Sequence, residues 1–127
     1  MAEQLHLVLQ PVRSDRADDF ERFLRDVVEP AVRTQRPDLE GRWRAMRATE
    51  ASDGVVTYAF FLEGGSLNED WELGLLVPAH YGEDEAERLF SEWGETFAPL
   101  DQWAEAAASS GRENNQAVWT MESVALT

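Results

Sequence analysis

The chain of 127 residues contains no cysteine, no lysine and no isoleucine, and its only histidines are His6 and His80. Without cysteine there is no disulfide, zinc ribbon, thiolate cluster or cysteine nucleophile. Basic side chains are scarce: 11 against 25 acidic ones give a formal charge of −14. Phosphate backbones and anionic membranes reward clustered cations, so this balance argues against both as partners. No apolar run approaches the roughly 18 to 20 residues that cross a bilayer. The charge-broken opening Met1-Ala2-Glu3-Gln4 lacks the basic start of a secretory signal. The expectation is one soluble, cytoplasmic domain over residues 1–127, with no nucleic acid and no membrane as partner. A chain of this length buries roughly two-thirds of its unfolded surface, enough for an apolar core without covalent staples. Nine arginines precede residue 48, while Arg88 stands alone among the acids from Glu63 to Glu105. That polarity suits a self-complementary dimer, although a solvated acidic helix face is the more common explanation.

Leu5, Leu7 and Leu9 alternate with His6, Val8 and Gln10, the period of a strand in which Pro11 marks the end or an edge. Ser14 or Asp15 then caps a helix whose stripe is Phe20, Phe23, Leu24, Val27, Val28 and Ala31. Pro30 predicts a kink or stop, with a linker over Thr34 to Asp38. From Gly41 the strand period returns, with Trp43 and Ala45 opposite Arg42, Arg44 and Met46; Ser52-Asp53-Gly54 turns the chain into the β-prone run Val55 to Leu62. Ser66 and Glu69 have capping-box spacing and predict a short helix with Trp71, Leu75 and Leu76, broken by Pro78 and Gly82. A second stripe, Ala86, Leu89, Phe90, Trp93 and Phe97, extends through Leu100, Trp103, Ala104 and Ala107 until Ser109-Ser110-Gly111, and Gln116 to Leu126 alternates as a last strand. The order β-α-β-β-α-β, with a broken second helix, is the ferredoxin-like α+β plan: a four-stranded antiparallel sheet with helices on one face.

This order, the chain length, the aromatic strand Val55 to Leu62 and the segment Asn68 to Trp93 resemble the dimeric α/β-barrel superfamily, which includes small antibiotic-biosynthesis monooxygenases and haem-degrading enzymes. The resemblance implies a homodimer whose two sheets share a barrel, and a ligand pocket in each subunit between sheet and helices. Haem-degrading members use an axial histidine, a nearby tryptophan and a strand-one asparagine. His80 and Trp71 resemble the first two, and Leu5 to Val12 contains no asparagine.

His80 is a candidate catalytic group because imidazole titrates near neutral pH and Pro78 and Gly82 flank it; Tyr58 is the second. Trp43, Trp71, Trp93, Phe60 and Tyr81 are candidate walls for a flat ligand, with Arg44 fixing an oxygen, although core and interface also consume aromatics. No metal motif, phosphate-cradling loop, nucleophile elbow or dinucleotide fingerprint occurs. The function expected is small-molecule binding, with cofactor-independent monooxygenation or a cyclase-like reaction on an aromatic or polyketide-like metabolite of secondary metabolism. Two alternatives stay open: a noncatalytic dimer that binds a metabolite or a protein, and a haem-binding or haem-modifying protein with His80 as axial ligand.

Overall fold

The computed structural model describes residues 4–51, 53–99, 101–103, 111–112, 116–117 and 119–126. Strands β1 (Leu5–Arg13), β2 (Trp43–Ala48) and β3 (Val55–Glu63) form an antiparallel sheet. Two further short strands, β4 (Gly111–Arg112) and β5 (Gln116–Ala117), pair with each other in a separate two-stranded sheet, and β6 (Met121–Ser123) completes the larger sheet in the order β1-β3-β2-β6. Between β1 and β2 the chain is helical throughout α1 (Ala17–Phe23), a π-helical turn (Leu24–Val28) and α2 (Glu29–Gln35). After β3 come α3 (Leu73–Tyr81) and α4 (Glu83–Gly94). The result is an α+β architecture with a four-stranded antiparallel open sheet, compatible with the ferredoxin-like plan. None of the described helices is long and apolar enough to cross a membrane.

The last strand joins the β2 edge, where Met46 faces Ser123 and Val124 donates its N–H to the Ala45 carbonyl at 2.9 Å. The opposite edge, on β1, is met by the chain leaving α4. Arg13 donates to the Thr96 carbonyl at 2.8 Å and Ala98 to that of Pro11 at 3.1 Å, around an isolated bridge between Val12 and Phe97. Phe97 therefore lies beyond the helix that its spacing predicted. Residues 104–110, expected to prolong a helix, and Val118 of the expected last strand lie outside the described residues.

Residues paired across an antiparallel sheet share a face, so the register sorts the side chains. His6, Leu62 and Trp43 lie on one face with Val8, Phe60 and Ala45, and with Gln10, Tyr58 and Arg47. The helices cover this face. Phe20 and Tyr58, both fully buried, meet with ring centroids 4.5 Å apart, and Trp93 stacks on Phe23 at 4.7 Å with the planes 8° apart. The other face of β1 carries Leu5, Leu7 and Leu9, which stay 58%, 57% and 37% exposed.

Three local expectations change. Ser14–Arg16 is a 3-10 turn without a side-chain cap, and α1 begins at Ala17. Ser66 and Glu69 do not open a helix: the Ser66 N–H donates to Asp70 at 2.7 Å in a turn, and α3 starts at Leu73 with Glu72 accepting from the Gly74 N–H. Pro78 lies inside α3, not at its end, because burial of Leu76 and Val77 outweighs one missing backbone donor, and Gly82 (φ 91°) then stops the helix.

Pro30 neither ends nor interrupts the helical path. Its ring removes the N–H that would meet the Asp26 carbonyl and crowds that oxygen, and the preceding turn widens to π geometry, with Glu29 donating to the Leu24 carbonyl. The Tyr81 hydroxyl from α3 reaches this loosened turn, donating to the Val27 carbonyl at 2.8 Å and, at the longer distance of 3.4 Å, to that of Asp26. Tyr81→Phe is expected to lower the unfolding free energy by about 1 kcal/mol, the net worth of one such bond. Urea denaturation measures it, and an unchanged midpoint would mean the hydroxyl adds nothing to the π turn.

Candidate functional site

A cavity of about 180 Å³ opens between the sheet and the helices. The sheet supplies Val8, Gln10, Trp43, Phe60 and Leu62 as its floor. The π turn and α2 supply Leu24, Val28 and Val32 as its roof. The side walls are Trp93 of α4, Leu73 of α3, and Leu67 and Trp71 of the intervening loop. The volume is close to that of an engineered apolar cavity of about 150 Å³ that stays dry and takes up benzene. A larger groove of about 340 Å³ between α1 and α4 is more open and includes Arg16, Asp19, Arg22, Glu92 and Glu95 in its lining. Those charges already pair in part, Arg16 with Asp19 at 2.8 Å and Arg22 with Asp19 at 3.2 Å. We place the candidate site in the apolar cavity, where a ligand would lose water and gain contact.

Polar bonds at the margin hold the walls. The loop after β3 turns at Gly64 and Gly65 (φ 71° and 70°), and a Cβ on Gly65 would sit 2.8 Å from the Asp70 carboxylate. Trp71 donates its indole N–H to the Gly64 carbonyl at 2.7 Å. His6 lies 2.8 Å from the Gly65 carbonyl through Nε2, which must carry the proton because a carbonyl only accepts. Arg36 of the α2–β2 connection pairs with Asp70 at 3.0 Å and with Asp38 at 2.9 Å. The Ser66 N–H and then Arg36 hold the Asp70 carboxyl below its ordinary range. On the opposite wall, burial raises the pKa of Glu29, offset in part by a hydrogen bond from Trp43 and by the charge of Arg33. Trp93 differs: its indole Nε1 is the one buried side-chain nitrogen or oxygen without a partner among the described residues.

Beside the cavity, a charged network crosses the sheet. Tyr58 donates its hydroxyl to Glu21 at 2.5 Å, Arg47 meets the same carboxylate oxygen at 2.6 Å, and the other arm of Arg47 meets Glu122 at 2.5 Å. Burial, followed by the hydrogen bond to Glu21 and the charge of Glu21, pushes the Tyr58 phenol well above its ordinary range. The Tyr58 proton is therefore held against a carboxylate, and Tyr58 is not among the cavity's lining residues.

Of the expected site residues, Trp43, Phe60, Trp71 and Trp93 converge on the cavity. Arg44 lies on the other face of the sheet, its guanidinium 5.5 Å from the centre of the Phe61 ring. Tyr81 supports the π turn, and His80 sits on α3 with its ring edge-on to Tyr81 at 4.5 Å, outside the cavity lining. Haem does not fit this cavity: no histidine lines it, and a porphyrin far exceeds its volume. No group of three or more His, Asp or Glu side chains that could hold a metal ion occurs among the described residues. Lining residues outside the expected site include Gln10, which strand alternation puts on one face with Val8, and Leu24 and Val28, which lie on the predicted apolar stripe of the first helix.

Glu29 offers a test of this wall. Its folded pKa lies above the unfolded value of 4.5, so the folded state binds more protons and stability falls as pH rises through that window. Glu29→Gln, which keeps an acceptor for Trp43, is expected to flatten that fall in denaturation curves between roughly pH 4 and 7. A wild type that gains on the variant as pH rises would reverse the sign. Comparison of the chain with protein-family models, with curated proteins and with solved structures finds no match.

Proposed function

We propose that the protein is a homodimer that binds a compact apolar or aromatic molecule in the sheet–helix cavity of each subunit. The observation that carries this reading is the lining itself: three indoles and Phe60 among aliphatic side chains, with Gln10 as the only other polar residue. Apolar walls with few polar groups are the usual form of a small-molecule site. A volume of about 180 Å³ suits one or two fused rings and is too small for an extended polycyclic skeleton. Binding is favoured over turnover because neither proton-transfer group foreseen in the sequence faces the cavity: Tyr58 is committed to Glu21, and His80 lies against Tyr81. The dimer is supported by the outer face, where the exposed Leu5, Leu7 and Leu9 run beside Phe61 on β3 and Met46 on β2. A row of large apolar side chains left to water is the signature of a surface that packs on something, and the self-complementary occupant is a second copy of the same face.

Benzofuran titrated into the protein and followed by calorimetry is expected to bind saturably at one site per subunit. Val28→Phe fills the roof and Leu67→Trp narrows the exposed side, and each should weaken binding about tenfold or more. Binding that ignores both substitutions would remove the cavity as the site. On the outer face, Leu7→Glu is expected to convert a dimer to a folded monomer in sedimentation at micromolar concentration. A monomeric wild type would overturn the dimer.

A further inference from the structure

Resting on the cavity as the binding site, we infer that Gln10 selects the ligand: its Oε1 accepts from a single N–H or O–H on a compact, uncharged ring. The lining offers few polar groups, and most are spent. The Trp71 N–H is given to the Gly64 carbonyl, and the Trp43 side chain is hydrogen-bonded to Glu29. Trp93 Nε1 is a donor closed off from solvent. Among the lining side chains only Gln10 carries an acceptor.

The orientation of the Gln10 amide follows from chemistry. Its Nε2 lies 2.9 Å from the Pro11 carbonyl. A carbonyl only accepts, so the NH₂ end must face Pro11 and Oε1 must be the other end. Among the described residues no donor meets Oε1. Oε1 is not among the buried partnerless atoms, so it meets solvent at the cavity, on a strand position whose face neighbours are Val8 and Val12. A ligand donor would take the place of that solvent beside apolar walls, and there one hydrogen bond discriminates between shapes that are otherwise alike. A carboxylate or an ammonium is disfavoured, because no charged side chain lines the cavity to pair with it.

Indole and benzofuran test this. They have nearly the same shape, but indole carries one N–H donor and benzofuran none. The wild-type protein is expected to bind indole about tenfold tighter by calorimetry, the worth of one hydrogen bond. Gln10→Leu should bring that ratio close to one. Gln10→Met, of the length of glutamine, provides the same comparison if the leucine variant fails to fold, and far-ultraviolet circular dichroism checks both. Equal affinities in the wild type would overturn the role of Gln10 while leaving the cavity as a binding site. A preference for indole that survives both substitutions would assign the acceptor elsewhere and overturn it too. If neither ring binds, the cavity reading itself falls and takes this inference with it.

Discussion

Glu21 is a carboxylate placed where water barely reaches, and a buried charge must be met by partners or it unfolds its surroundings. Its partners come from two strands. Tyr58 rises from β3, Arg47 from β2, and Arg47 in turn holds Glu122 of β6. One residue of α1 thus positions the helix over two neighbouring strands and secures the short strand that closes the sheet. The face that this network occupies is the face the helices cover, and the aromatic contacts of Phe20 with Tyr58, Phe60 and Trp93 begin directly beside it.

The cavity is a consequence of how the helical layer is built on that anchor. An unbroken α-helix would set each roof residue at the regular spacing. The π turn before Pro30 adds one residue to a turn, shifting Leu24 and Val28 relative to Val32. The carbonyls it disturbs are met by Tyr81, so the distortion is supported from α3 and need not be relieved by tighter packing. On the far side the loop carrying Leu67 and Trp71 is held away from collapse by Arg36 with Asp70 and by His6 on the Gly65 carbonyl. Large rings span the remaining gap without filling it, because indoles fixed at their N–H ends, as Trp71 is, cannot slide inward.

Much of this was legible in advance. The alternation in Leu5 to Val12, the turn before Val55 and the stripe Ala86, Leu89, Phe90, Trp93 all point to elements that the structure contains, since period and burial are linked by geometry. Trp43, Phe60, Trp71 and Trp93 were identifiable as candidate walls from residue type alone. Misreadings came from short-range signals that long-range packing overrode. Pro78 sits inside a helix because Leu76 and Val77 are buried beneath it, and Ser66 uses Asp70, not Glu69, because the turn at Gly65 brings that carboxylate back onto its own loop.

The sequence by itself determined the α+β order of elements and the pairs of residues that share a face, because backbone periodicity is local. It did not say which face of β1 the helices would cover, since Leu5, Leu7 and Leu9 make one side as apolar as His6, Val8 and Gln10 leave the other mixed. Only the tertiary structure decided that. The larger partners Leu62, Phe60 and Trp43 lie on the mixed side and draw the helices there, which leaves the leucines outside and brings Gln10 to a cavity. Tyr58 shows the same limit: a phenol read as a proton donor became a core hydrogen bond once Glu21, 37 positions away, folded onto it. Residue type sets what a side chain can do, and burial beside a distant partner sets what it does.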